Sequence, residues 1–177
     1  QTHHMKVVFV TALLLTAALS LPVKNSQTDK GTCGTKPTTK EDCQSPDLGT
    51  CGNACCALTA DINMSPEDAF NRLADALQAG GEDGLYNYKN GTDLRQYKID
   101  WQFISQGTHE TFGAHYVDTL DFNFKPGPTG TTIRGFSISN VEGALGDYSQ
   151  NYKNLAAILK NAFGAVQLQK SFGCGKQ

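Results

Sequence analysis

The sequence has few features that would bind an anionic polymer. Of its 177 residues, 15 are Lys or Arg and 17 are Asp or Glu, which leaves a net charge of −2, and the basic residues do not cluster. Proteins that bind DNA or RNA neutralise phosphates with clustered Lys and Arg, so nucleic acid is not an expected partner. A polybasic segment that would bind an anionic lipid surface is also missing.

Long apolar runs are missing as well. The longest mostly apolar stretch, residues 7–19, follows Met5 and Lys6, whereas a membrane-spanning helix needs about 20 apolar residues. A charged start, an apolar middle and a small-residue exit at Ser20 are typical of a secretory signal peptide. We therefore expect residues 1–20 to be a leader and signal peptide, no transmembrane segment, and a protein that is secreted or at the cell surface.

Several catalytic signatures are absent. The glycine-containing stretch 125–130 has neither a P-loop lysine nor a dinucleotide-binding fingerprint. In GFSIS, Ser139 occupies the position at which a nucleophile elbow needs glycine. Asp118 and Asp121 are an odd number of positions apart, so in a strand they point to opposite faces and do not form a carboxylate pair. These absences favour a non-enzymatic protein without a cofactor.

Cysteine, by contrast, is concentrated at one end of the sequence. Five of the six cysteines lie within residues 33–56. The complete set is Cys33, Cys43, Cys51, Cys55, Cys56 and Cys174. Export into an oxidising compartment favours disulfides, and Cys51, Cys55 and Cys56 lack the second ligand pair of a zinc site.

The number of cysteines constrains their pairing. Five N-terminal thiols cannot all pair among themselves, and a bond between adjacent Cys55 and Cys56 needs strained geometry. If all six are oxidised within one chain, Cys174 therefore bonds to one member of the N-terminal cluster. Which member it takes stays open at this point.

The chain divides into an arm and one domain. Residues 21–57 are rich in Lys, Thr, Ser, Pro and Gly without apolar periodicity, which predicts a Cys-rich irregular arm. Residues 58–177 predict a single α+β domain closed by Cys174. Its first helix is expected over residues 66–79, with Ser65 as the N-cap. A second helix is expected from near Asp147 to Phe163, where apolar residues recur at helical spacing.

Strand-like segments lie between and after these helices. They are residues 85–89, 97–103, 116–124, 131–139 and a short segment within 166–172. Asn90-Gly91 predicts a turn after the first of them, and short connections favour antiparallel pairing. The expected fold is α+β, an antiparallel sheet of four to five strands with two amphipathic helices on one face, preceded by the disulfide-rich irregular arm.

Outside the cysteines, the segment HETFGAH is the most suggestive cluster of metal ligands, because His109, Glu110 and His115 could bind a metal ion. A zincin helix places its histidines four residues apart on one face. Here they are six apart in a glycine-containing stretch, which favours a solvated loop. A metal-dependent hydrolase that uses these three residues is the weakest of the functional hypotheses.

Aromatic residues offer a better indication of binding. Tyr86 and Tyr88 share one strand face, and Tyr97 and Trp101 share another, so those outside the core would form a platform for a sugar or a protein. The competing interpretation is that most of them are core residues. Asn90, in the sequence Asn-Gly-Thr, is a candidate N-glycosylation site.

Part of the chain, about residues 66–160, resembles a family of small bacterial and plastid-associated domains of unknown function (DUF1499). The similar elements are the helix at 66–79, the strand DTLDFNF at 118–124, and Ser137, Ser139, Gly143, Asp147 and Asn151. The resemblance implies an α+β domain and no particular reaction.

Together these patterns predict a secreted, disulfide-stabilised, non-enzymatic binding or structural domain whose partner is a protein or a glycan in an extracellular assembly. The alternative is an accessory or small-hydrophobe-binding subunit at a membrane surface, including a plastid reached by the secretory route. The second alternative is the metal-dependent hydrolase.

Overall fold

Six antiparallel strands and two α-helices make up the described part of the chain, which in this computed structural model comprises residues 53–141, 144 and 146–174. In chain order the elements are β1 (Cys55–Ile62), α1 (Pro66–Gln78), β2 (Tyr86–Asp93), a 3₁₀ turn (Arg95–Tyr97), β3 (Phe103–Glu110), β4 (Val117–Gly127), β5 (Gly130–Ser139), α2 (Gln150–Phe163) and β6 (Leu168–Phe172). The expected signal peptide and Cys33, Cys43 and Cys51 lie outside the described residues.

The sheet is open and its strand order is β2-β3-β4-β5-β1-β6. This confirms the α+β fold, with six strands instead of the four to five expected. Two of the six strands were not expected. One is β1, which lies between β5 and β6 and includes Cys55 and Cys56, and the other is β3, which shares only Phe103 with the expected strand at 97–103. The sheet begins at Cys55, three residues before the expected start of the domain at residue 58. Residues 21–52 of the expected arm lie outside the described residues.

Both helices form where their local signals predict them. Ser65 caps α1, since its hydroxyl accepts a hydrogen bond from the Asp68 amide at 3.2 Å. Helix α2 begins at Gln150, three residues after the expected start. Asp147 nevertheless caps it, because its carboxylate accepts hydrogen bonds from the amides of Ser149 and Asn151.

Two local predictions are wrong. The alternating segment 97–103 is not a strand; Asp93 pairs with Phe103, so residues 94–102 form the connection from β2 to β3. Asn90-Gly91 is not a turn, because β2 continues through it to Asp93. A Cβ on Gly91 would lie 2.6 Å from the Phe70 ring. Glycine is thus needed at this position for close packing.

The main core lies between the sheet and the helices. Buried side chains on this helix face include Leu58, Phe122 and Ile133, packed against Leu73 of α1 and Leu155 of α2. A disulfide joins Cys56 to Cys174 in the same layer. This confirms that Cys174 bonds to the N-terminal cluster. It ties β1 to the residues that follow β6.

The opposite side of the sheet, called the second face here, has its own small apolar cluster of Cys55, Ala57, Phe136 and Ile138. Strand alternation places Asp118 on the helix face, where it contacts α2, and Asp121 on the second face. The odd spacing therefore separates the two carboxylates, as predicted. Within the described residues, neither α1 nor α2 is long and apolar enough to cross a membrane.

Candidate functional site

A row of polar side chains crosses the helix face near one end of the sheet. Its members, Tyr86, His109, Asp118 and Ser139, occupy facing positions on β2, β3, β4 and β5. All four are buried. Buried polar groups need hydrogen-bond partners, and α2 supplies several of them to this polar row.

Asn154 of α2 is the central partner of the row. Its amide nitrogen donates to Asp118 Oδ2 at 2.7 Å, and its side-chain oxygen accepts from Gln150 Nε2 at 2.7 Å. The Tyr86 hydroxyl donates to the Asn154 carbonyl oxygen at 2.8 Å. These bonds attach the N-terminal half of α2 to β2 and β4.

Asn151 forms a second connection one turn earlier. Its amide nitrogen donates to Asp147 Oδ2 at 2.6 Å and to the Ala54 carbonyl at 3.1 Å. Its side-chain oxygen accepts a hydrogen bond from the Ser137 hydroxyl. A clamp of Ser137, Asp147 and Asn151 thus holds the start of α2 on the sheet. These three residues are among those that resemble DUF1499.

The two carboxylates near His109 have opposite pKa shifts. Burial raises the pKa of Asp118, against the lowering effect of hydrogen bonds from Asn154 and Ser139 and of nearby His109. Partial burial alone would also raise the pKa of Asp83. Its hydrogen bonds with His109 and the Leu85 amide and its attraction to His109 hold that pKa below its ordinary value.

A surface recess of about 420 Å³ opens beside the polar row. It is lined by Asp83, Leu85, His109, Thr111, Phe112 and Gln150. At its inner wall His109 Nε2 hydrogen-bonds Asp83 Oδ2 at 3.0 Å. The recess therefore combines hydrogen-bonding groups with the exposed ring of Phe112.

Exposed apolar side chains surround the end of the sheet at which β3 and β5 finish. We call this end the aromatic end and define it by Phe112, Tyr116, Val141 and Tyr148. Phe112 and Tyr116 belong to the β3–β4 loop, and Val141 and Tyr148 to the connection from β5 to α2. The rings of Phe112, Tyr116 and Tyr148 are 92%, 57% and 98% exposed. Large apolar side chains that solvent surrounds to this extent have no role in the core.

The backbone is also strained at the aromatic end. His115, Tyr148 and Ser149 have positive φ angles of 55°, 50° and 63°. This left-handed conformation is unfavourable for residues with a Cβ, and such strain clusters at functional sites. Its coincidence with the exposed rings supports a functional role for these loops.

The three predicted metal ligands do not form one site. His109 is buried and contacts Asp83, whereas His115 is exposed and contacts Glu110. His109 and Glu110 are adjacent in β3 and so point to opposite faces. Among the described residues, no group of three His, Cys, Asp or Glu side chains is arranged to hold a metal ion.

The predicted aromatic platform is also divided. Tyr86 is a core residue, which corrects its interpretation as a binding aromatic, and Tyr88 packs against the core. Tyr97 and Trp101 lie in the β2–β3 connection, at the opposite end of the sheet from Phe112. Asn90 is exposed in the edge strand β2, and its glycosylation stays a prediction.

Sequence analysis missed the residues that form the aromatic end. Phe112 lies within the segment HETFGAH and Tyr116 directly follows it. Tyr148 shares the apolar spacing of α2 but lies before its first residue. A usable signal was present in TFGAHY, where two aromatics flank a glycine outside any alternating strand pattern. Asp83 gave no comparable signal, because its contact with His109 joins residues 26 apart.

No family model matches the chain and no curated protein matches it, so the similarity to DUF1499 stays a prediction. The solved structure of protein CV1439 from Chromobacterium violaceum is similar to this chain with a TM-score of 0.35 and 12% identity, over 62% of this chain and 95% of that one. A likeness this distant carries no argument about function.

Proposed function

We propose that this chain is a secreted, disulfide-stabilised, non-enzymatic binding domain that contacts an extracellular protein through its aromatic end. The observation that carries the proposal is the exposure of Phe112 and Tyr148, at 92% and 98%. They come from two separate loops at the same end of the sheet. Contiguous exposed apolar side chains mark interaction sites in soluble proteins.

The surroundings of these rings support a protein partner. Aromatic side chains are enriched at the centres of protein interfaces, where they act as anchors within a polar rim. Asp83, Thr111 and Gln150 supply polar groups in the adjoining recess. The clamp of Ser137 and Asn151 holds the start of α2 next to Tyr148, so part of the surface is organised before binding, which reduces the entropic cost of association.

The two alternative functions receive less support. A second recess, of about 520 Å³, is lined by polar residues such as Asp61, Asn63 and Gln169 as well as by Phe163 and Val166. A small-hydrophobe site would instead be mostly apolar. The hydrolase alternative requires the ring nitrogens of His109 and His115 to converge on one metal ion. Instead, His109 contacts Asp83 and His115 contacts Glu110.

The test compares two double variants of the mature protein. Phe112→Ser/Tyr148→Ser removes the two most exposed rings, and Tyr97→Ser/Ile99→Ser removes two exposed apolar side chains at the opposite end of the sheet. Each protein is incubated with the cells that produce it, treated with a mild crosslinker, and purified, and the captured proteins are identified and then titrated against the purified variants.

We expect Phe112→Ser/Tyr148→Ser to weaken binding of the captured protein at least about 30-fold, which corresponds to roughly 2 kcal/mol for an anchor pair. The Tyr97→Ser/Ile99→Ser control should bind as the wild type does. Equal binding by all three proteins would refute the proposal. Binding to a glycan array that is lost in the Phe112 variant would show that the surface recognises sugar instead.

A further inference from the structure

The Asn90-Gly91 dipeptide lies in β2, which is an edge strand of the sheet, and the Asn90 side chain is exposed. Among the described residues, no strand pairs with the outer side of β2. Its pairing with β3 is also irregular just before this dipeptide, because the register shifts between Tyr88 and Asn90. Water therefore reaches the Asn90 side chain, and β3 pairs with the backbone around it from one side only.

The side chain of Asn90 folds back onto the main chain that follows it. Its carboxamide oxygen accepts a hydrogen bond from the Gly91 amide at 2.8 Å. Because a C=O bond is about 1.2 Å long, the carboxamide carbon Cγ lies within about 4 Å of the Gly91 nitrogen. Reacting atoms in a near-attack arrangement are about 3 to 3.5 Å apart. A rotation of the exposed side chain thus brings Cγ within reach of that nitrogen.

Packing on the helix face requires residue 91 to be glycine. A Cβ at this position would lie 2.5 Å from the Tyr88 hydroxyl and 2.6 Å from the Phe70 ring of α1, which is closer than side chains pack. Because glycine has no side chain, its amide nitrogen is also the least shielded of any residue. The fit of β2 against α1 therefore keeps an unhindered nitrogen next to an exposed carboxamide.

We propose that Asn90 is a site of spontaneous deamidation in the folded protein. The Gly91 nitrogen loses its proton to hydroxide and bonds to Cγ of Asn90. The bond from Cγ to Nδ2 breaks, and the departing nitrogen takes up a proton from water and leaves as ammonia. Water then opens the resulting five-membered succinimide at either carbonyl group, which gives aspartate or isoaspartate. Water and hydroxide are the only co-reactants.

Deamidation of Asn90 has two consequences for the molecule. Isoaspartate adds a carbon atom to the main chain of β2, so the pairs that follow, Gly91 with Ser105 and Thr92 with Ile104, cannot keep their register. The nitrogen that leaves is also the atom to which the predicted N-linked glycan would attach, so the two modifications exclude each other. This inference is independent of the proposed function, because Asn90 is not part of the aromatic end.

Peptide mapping of the wild-type mature protein tests the proposal. The protein is secreted into the periplasm of a bacterium that attaches no N-linked glycans, and the folded product is incubated at neutral and at mildly alkaline pH. Isoaspartate is then measured by electron-transfer fragmentation of its peptides. Asn87 is the internal control, because it is also exposed in β2 but precedes Tyr88 instead of glycine. A synthetic peptide of residues 85–96 measures the rate without the fold.

We expect isoaspartate to form at least about tenfold faster at Asn90 than at Asn87, and faster at the higher pH. The rate at Asn90 should also lie within about a hundredfold of the peptide rate, which unfolded molecules cannot supply because they make up about one in a thousand or fewer. A slower reaction would overturn the proposal, since the fold would then protect the site. A smaller difference between Asn90 and Asn87 would overturn it as well. Neither result depends on the protein captured at the aromatic end.

Discussion

Asn154 of α2 donates a hydrogen bond to Asp118 of β4 across 2.7 Å, and both side chains are buried. The bond joins a helix to the middle of the sheet within a layer that is otherwise mostly apolar. Because Asp118 is desolvated, it depends on its few donors for compensation. The stability of the domain should therefore be sensitive to this pair.

Replacing Asn154 with alanine should lower the free energy of unfolding by about 1 to 3 kcal/mol at neutral pH, since it removes one of the few hydrogen-bond donors to a buried carboxylate. Urea denaturation measures the change. Asn161→Ala in the exposed part of the same helix is the matched control, and it should be neutral or slightly stabilising because alanine favours helix. Equal losses in the two variants would contradict the role assigned to Asn154.

Asp118 and Asp83 should affect stability in opposite pH directions. The pKa of Asp118 is raised from 3.8, because the folded domain favours the protonated carboxyl group. The contribution of Asp118 to the free energy of unfolding is therefore complete below about pH 3.8 and is lost as the pH rises through the raised pKa. The pKa of Asp83 is lowered from 3.8, so its contribution is present above about pH 3.8 and is lost as the pH falls through the lowered pKa.

Urea titrations between about pH 3 and 6 would resolve these contributions. The unfolding free energy of the wild type relative to Asp118→Asn should fall as the pH rises. Relative to Asp83→Asn it should rise. If both differences in unfolding free energy changed with pH in the same direction, the two carboxylates would not have the opposite pKa shifts assigned to them.

The Cys56–Cys174 disulfide joins residues separated by 118 positions. The double variant Cys56→Ala/Cys174→Ala should lose about 4 to 5 kcal/mol in non-reducing buffer, because the unfolded chain regains the entropy that the crosslink removes. In reducing buffer the wild type and the variant should differ only by a small packing effect. A difference that persists under reduction would show that the cross-link is not its source.

Alanine substitutions at two neighbouring glycines distinguish the cost of backbone strain from the cost of a steric clash. Gly81 and Gly84 both have positive φ, but a Cβ at Gly81 would lie 2.3 Å from the Tyr86 ring, whereas a Cβ at Gly84 would meet nothing within 4 Å. We expect Gly84→Ala to cost about 1 kcal/mol and Gly81→Ala roughly 2 to 4 kcal/mol. Thermal unfolding would show the difference. Similar melting temperatures would place the Tyr86 ring elsewhere.

Patterns contained within one segment predicted structure well. The cap at Ser65 and the apolar spacing that follows it determine α1, and alternation determines β4 and β5. The odd number of cysteines in the N-terminal cluster also predicted a bond from Cys174 to one of them, and Cys56 is the partner. Each of these inferences needs only neighbouring residues or a count.

Patterns that depend on distant partners were predicted poorly. Residues 97–103 alternate as a strand does, but the pairing of Asp93 with Phe103 requires them to connect two strands. Asn90-Gly91 has the composition of a turn, yet Phe70 of α1 packs against that position and the strand continues. Tertiary packing overrides local preference in both cases.

The sequence by itself determined the fold class, the helices, most of the strands and the covalent tie between the two ends of the domain, because those features follow from local periodicity, capping and cysteine parity. Only the tertiary structure decided that Phe112 and Tyr148 share one end of the sheet, that Asp118 faces Asn154, and that Tyr86 is a core residue. Those relationships arise from contacts between residues far apart in the chain, which no single stretch of sequence specifies.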